Sequence, residues 1–233
     1  MRRLISLFVL FFVVSVTSGF TQDFLPWTDY ERLRNHAEAT PKDVEKDPKE
    51  IVDYLFKAAK TEREKIEIIY YWMALNITYD IKGYISGNLP NSDGLNVLKT
   101  KRAVCEGYAQ LFKILCDNAK IESVVISGFA KGHGYTGERQ LEANHAWNAV
   151  KLGNEWKLVD VTWGSGYVDL ENDTLVFKRN LNLGYIFSKP EGFVIEHFPQ
   201  DAKWQLLDKP ISIDEFYSKE MDEKIFHIYR YLR

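Results

Sequence analysis

The chain has 233 residues, 45% of them hydrophobic and 14% aromatic, with 30 basic against 33 acidic side chains. That apolar content excludes intrinsic disorder and suffices for one good-sized core, or one core with a substantial extension. With Arg2 and Arg3 assigned to a leader, 28 basic residues face 33 acidic ones, a net charge near −5, which leaves no basic patch for nucleic acid or an anionic membrane surface.

In chain order, Met1-Arg2-Arg3 precedes an unbroken apolar run from Leu7 to Val14 inside a longer Leu4–Val16 segment, and then the small residues Thr17-Ser18-Gly19. This is the order of a secretory signal peptide, and the apolar core is shorter than the roughly 20 residues that cross a bilayer. Residues 1–19 are therefore read as a signal peptide. The mature chain is expected to be exported, periplasmic or extracellular, with no stable membrane insertion after cleavage. Residues 20–60 read as an N-terminal helical extension. Thr28 with Glu31 has capping-box spacing, and Thr40-Pro41 offers a second helix start with Pro at the first helical position.

Residues 61–170 read as the catalytic core. Thr61 with Glu64 opens a third helix, along which Ile66, Ile69, Tyr70, Met73, Ala74 and Ile77 recur at helical spacing. Gly83 to Gly94, rich in Gly, Asn, Ser and Pro, is expected to be a loop. A helix from Cys105 to Asn118 follows, with Tyr108, Leu111, Phe112 and Leu115 on its buried stripe and Gly107 marking close packing. Strand-like runs then cover 123–129, 143–152 and 155–162, the last two joined by Gly153-Asn154, a two-residue hairpin signal. Beyond Trp163 the chain reads as irregular. Residues 171–233 are taken as a C-terminal extension packed on the core, ending in a helix near Phe216 with Ser212 and Glu215 as its capping box.

Cys105 stands where a loop enters a helix, so unpaired backbone N–H groups and the helix dipole favour its thiolate. Cys116 lies about three turns further on, about 16 Å along the axis, beyond the ~7 Å that a disulfide spans. Both thiols are expected to stay free, with Cys116 an apolar core residue. A turn at Gly153-Asn154 pairs Leu152 with Glu155, which sets His145 and Asp160 as diagonal neighbours on one sheet face, within reach of a hydrogen bond. Trp147, Ala149, Trp156 and Leu158 share that face, which is expected to be covered by the Cys105 helix.

These three residues suit nucleophilic catalysis. Cys105 attacks a carbonyl carbon, His145 takes and returns a proton, and Asp160 holds the imidazole tautomer. The Cys105 N–H is one oxyanion donor; a second is required, and Asn76 and Tyr79 are upstream polar candidates. Trp147 and Trp163 are the candidate substrate-binding residues. No metal or other cofactor is expected: His133, His145 and His197 lack ligand spacing, and Asp169, Glu171 and Asp173 lack the glycine and ligand spacing of a calcium loop.

Arg102-Ala103-Val104-Cys105-Glu106-Gly107-Tyr108-Ala109, Asn144-His145-Ala146-Trp147-Asn148 and Leu158-Val159-Asp160-Val161-Thr162-Trp163-Gly164 together resemble the transglutaminase-like superfamily. The C-terminal His197-Phe198-Pro199 and Trp204-Gln205-Leu206-Leu207 are similar to the branch that includes kyphoscoliosis peptidase and fungal cytokinesis regulators. The resemblance implies an α+β, papain-type core with N-terminal helices packed on an antiparallel sheet, and catalytic roles for Cys105, His145 and Asp160. It implies a peptidase, amidase or acyl transferase acting on peptide or protein amides; the expected export adds cell-envelope material to these substrates. A non-catalytic peptide-binding module on the same fold is the alternative, and the oligomeric state stays open.

Overall fold

Capping chemistry decides where the N-terminal helices begin. The computed structural model describes residues 27–132 and 135–218, so the expected signal peptide and His133 lie outside the described residues. Helix α1 (Trp27–Glu38) takes in Thr28 rather than starting after it. The second helix does not start at Thr40. That hydroxyl is buried and donates to the Ala37 carbonyl at 2.8 Å. Helix α2 (Pro48–Leu55) begins instead where Asp47 accepts from the Lys49 and Glu50 N–H groups and Pro48 fills the first position. Helix α3 (Glu62–Asn76) starts on Thr61, whose hydroxyl accepts from the Glu64 N–H at 3.1 Å. Every residue of α3 from Ile66 to Ala74 is buried. It is the central helix of the core rather than a one-faced amphipathic one.

The expected loop between Gly83 and Gly94 is partly helical. Strand β1 (Thr78–Tyr79) leads to α4 (Ile81–Ser86), capped by Asp80 and ended by Gly87 at a φ of +72°. Helix α5 (Gly94–Thr100), capped by Asp93, leads to β2 (Arg102–Ala103). Short Asp-initiated turns of helix in a Gly/Asn-rich stretch have too few residues to show a period. β2 pairs in parallel with β1, setting Ala103 against Tyr79, and α6 (Cys105–Asn118) follows at once.

Strands β3 (Ser123–Ala130), β4 (His145–Leu152) and β5 (Glu155–Val159) come next, then α7 (Val161–Ser165) and the hairpin β6 (Gly166–Glu171) and β7 (Thr174–Arg179). The chain continues through β8 (Ile186–Ser188), α8 (Pro190–Phe193), β9 (His197–Pro199) and α9 (Ile213–Ser218). The main sheet is antiparallel, in the order β8-β5-β4-β3-β9. The region beyond Trp163 is thus not irregular: it supplies both outer strands of this sheet. Strands of three residues bounded by turns carry no alternation that a sequence reading could detect.

The β4–β5 register is the expected one, from Leu152↔Glu155 to Asn148↔Val159, but the ladder stops there. Trp147 and Asp160 are not paired, nor are His145 and Thr162. Asp160 leaves the strand to cap α7, where Thr162 lies. The covering of the sheet also differs from expectation. Helix α6 packs on the face of Asn148 and Val150; Asn148 Nδ2 donates to the Ala109 carbonyl of α6 at 3.0 Å. The Trp147, Ala149 and Leu158 face is covered by the C-terminal segment, through Phe193, Tyr185, Trp204 and Leu206. β4 is buried on both faces, and such a strand does not announce which face meets which neighbour.

Gly164 of α7 is fixed by α3. A Cβ there would overlap the Tyr70 hydroxyl, which donates to the Asn182 carbonyl. Gly164→Ala is expected to lower unfolding stability by roughly 1–3 kcal/mol, read as a lower urea midpoint by circular dichroism. An unchanged midpoint would refute this packing.

Candidate active site

The polar side chains of the site come from the ends of four elements that meet at one end of the sheet's strands. Cys105 is the first residue of α6, and its N-cap Val104 has no side chain to satisfy the helix N–H groups. The first turn therefore keeps donors and the positive end of the dipole for an anion. His145 opens β4, Asp160 follows the last residue of β5, and His197 opens β9.

His145 Nε2 lies 2.7 Å from Asp160 Oδ2, and the His145 side chain stands beside the Cys105 thiol on the same cleft. Asp160 is fully buried. Its Oδ1 accepts from the Trp163 N–H at 3.0 Å, and its Oδ2 accepts a second bond, from His197 Nε2 at 3.0 Å. The three residues expected from the sequence are thus brought together, and a fourth joins them.

His197 is the member that sequence reasoning missed. It is completely buried, stacked on Phe193 with ring centroids 3.9 Å apart, and edge-on to Trp147 at 5.2 Å. The only sequence signal was the His197-Phe198-Pro199 block of the family resemblance, because β9 is too short to give a register. His145, Asp160 and His197 offer ligand atoms within 4.8 Å of one another, a spacing that could also hold a metal ion. Both imidazole Nε2 atoms point at one carboxylate oxygen at direct hydrogen-bond distance, an arrangement that two N–H donors and one acceptor close by themselves.

The electrostatics follow from this geometry. Burial pushes the Cys105 thiol up, but the hydrogen bond and charge of His145, with the Ala146 N–H, bring it below the ordinary thiol value. Burial works against a charged His145, and Asp160 and Cys105 override it, raising the imidazole to about 10. The two histidines hold Asp160 well below the usual carboxylate range despite its burial. Burial takes His197 down to about 4, so it is a neutral donor near pH 7. Cys116, buried on the same helix, is pushed up to about 12, and both cysteines are free.

Cys105 is partly exposed at the floor of a cleft of about 360 Å³ that Tyr79, His145 and Trp163 also line. Trp163 is thus at the cleft wall, with its ring 5.1 Å from that of His145. Trp147 is not: it is 1% exposed and packs beneath the two histidines. Of the two candidate oxyanion donors, Tyr79 lines the cleft, whereas Asn76 Nδ2 is spent on the Trp72 carbonyl at the end of α3. Burial and the neighbouring Cys105 keep the Tyr79 phenol protonated far above its ordinary value.

The family model described as "Transglutaminase-like superfamily" matches residues 49–161. Kyphoscoliosis peptidase from Mus musculus is 35% identical over 189 residues, covering 80% of this chain and 28% of that protein. The Homo sapiens kyphoscoliosis peptidase is 37% identical over 169 residues, covering 72% of this chain and 25% of that protein. The chain spans about a quarter of the length of these relatives. A solved structure titled as that of a TGase aligns with a TM-score of 0.41 at 18% identity, over 58% of this chain and 37% of that one. Residues 49–161 are a domain of the transglutaminase-like superfamily.

Proposed function

We propose that this chain is an exported cysteine enzyme that acts on amide bonds of peptides or proteins through Cys105, His145 and Asp160. The observation that carries the proposal is the 2.7 Å contact of His145 with buried Asp160 beside the Cys105 thiol, which is set at an uncapped helix N-terminus and open to a cleft. Export rests on the signal-like residues 1–19.

In this reading the resting site is a thiolate–imidazolium pair. The thiolate of Cys105 attacks the amide carbon, and the carbonyl electrons move onto oxygen, where the Cys105 N–H and the cleft-lining Tyr79 hydroxyl receive the charge. As the C–N bond breaks, His145 gives its Nδ1 proton to the leaving nitrogen, and a thioester remains on Cys105. His145, now neutral, deprotonates an incoming water or amine, which attacks the thioester and releases the thiolate. Asp160 balances the imidazolium throughout, and His197 holds Asp160 in place by donating to the same oxygen.

Iodoacetamide at about pH 6 is expected to alkylate Cys105 and leave Cys116 of the folded protein untouched. His145→Ala should slow that labelling by roughly 100-fold. Equal labelling of both cysteines, independent of His145, would overturn the assignment. The role of His197 predicts a displaced pH profile. His197→Phe removes one of the bonds that keep Asp160 ionised, so its carboxyl protonates at higher pH and the acid limb of Cys105 labelling moves up. His197→Gln, which retains an N–H donor, should move it back. Coincident profiles for both folded variants and the parent would rule out that role.

A further inference from the structure

The cleft above Cys105 has a composition unlike the rest of the surface. Of all residues in the chain, 27% are Asp, Glu, Lys or Arg, yet among the described residues none of the four types lines the cleft. One wall is α4, with Ile81, Tyr84 and Ile85. Another is the β6–β7 hairpin. Opposed pairs Val168↔Phe177 and Leu170↔Leu175 put these four apolar side chains on one face, and Val168, Leu175 and Phe177 of that face line the cleft. Tyr79 joins the two walls, its ring 6.1 Å from that of Tyr84 and 6.5 Å from that of Phe177. Asp169, Glu171 and Lys178 stand on its other face, with Glu171 paired to Lys178. Arg179 shares the apolar face at its far end, where its guanidinium lies over the Phe177 ring and donates to the Ala74 carbonyl and the Thr78 hydroxyl rather than lining the cleft.

Large apolar side chains stay in water at the mouth of this cleft. Ile85 is 62% exposed, Tyr84 60% and Tyr167 43%. A contiguous exposed apolar surface beside a reactive group marks a binding site. What it binds is set by charge. A charged substrate side chain entering the cleft loses its hydration and meets no counter-ion, which costs several kcal/mol; an aliphatic or aromatic one gains about 25 cal/mol for each Å² it buries. Among the described lining residues the only ionic partners are the thiolate and imidazolium themselves, and Arg179 behind Phe177 is already hydrogen-bonded to Ala74 and Thr78.

We infer that the cleft between α4 and the β6–β7 hairpin selects uncharged peptide segments with aliphatic or aromatic side chains beside the reacting carbonyl, and rejects segments carrying Lys, Arg, Asp or Glu there. This names the substrate class for the enzyme proposed above and rests on that reading. Ile85 and Val168 are specificity residues, one on each wall.

The test uses three peptidyl vinyl sulfones identical except for the residues beside the warhead: Leu-Phe, Leu-Lys or Leu-Glu. The Cys105 thiolate adds to the alkene carbon β to the sulfone, next to the peptide, and a proton passes from His145 to the carbon that bears the sulfonyl group, so no leaving group is needed. Each rate is divided by the same protein's iodoacetamide rate. The Leu-Phe probe should label Cys105 about tenfold faster than either charged probe, or more. Ile85→Asp and Val168→Asp should shrink that ratio and raise the relative rate of the Leu-Lys probe; the exposure of Ile85 keeps folding out of the first comparison. Equal rates for the three probes, with Cys105 still outrunning Cys116 toward iodoacetamide, would overturn the selectivity and leave the cysteine-enzyme reading standing. Failure of iodoacetamide to distinguish the two cysteines would remove both. Labelling that weakens as protein concentration rises would show a second copy filling the cleft and would also overturn the proposal.

Discussion

The buried carboxylate of Asp160 is the interaction on which the rest of the structure turns. An isolated carboxylate with no solvent exposure would protonate rather than stay charged. Asp160 stays charged because three donors converge on it: His145, His197 and the Trp163 N–H. Each donor belongs to a different element, so one charge ties together the start of β4, the start of β9 and the first turn of α7. Removing one donor would both expose the cost of that buried charge and loosen two strands of the sheet.

The thiol side of the site depends on a separate constraint, the docking of α6. Asn148 is nearly fully buried and donates to both the Ala109 carbonyl of α6 and the Val124 carbonyl of β3. Gly107, where a Cβ would press on Val97 and Ala103, lets the first turn of α6 settle against α5 and β2. These two contacts fix the distance between a helix N-terminus and a strand end, and so between a sulfur and an imidazole. The parallel pairing of β1 with β2 completes the set by placing Tyr79 at the same spot.

Much of this was legible in residue order. The Gly153-Asn154 turn gave the β4–β5 register, Thr61 and Ser212 gave two helix starts, and the eleven-residue spacing of Cys105 and Cys116 kept them apart as free thiols. The His145–Asp160 contact was reached by a route that is only partly the real one, since the strand ends before Asp160 and an Asx cap takes over. What was illegible has a common cause. β4 is buried on both faces, so alternation could not say that α6 covers Asn148 and leaves Trp147 to the C-terminal segment. His197 and the strands β8 and β9 sit in runs of three residues, too short for any periodicity, and their partners are remote in sequence.

That remoteness has a kinetic meaning. Asp160 finds His145 at a separation of 15 residues but His197 only at 37, on an edge strand made after the other two. Long-range antiparallel pairing of this kind closes late, because the loop entropy must be met before its contacts reward it. Until β9 closes, Asp160 lacks one of its donors and the acid–base network is incomplete. If Cys105 acts as proposed, the completion of folding is what arms it, and a partly folded chain would carry an ordinary, slow thiol past every amide it meets.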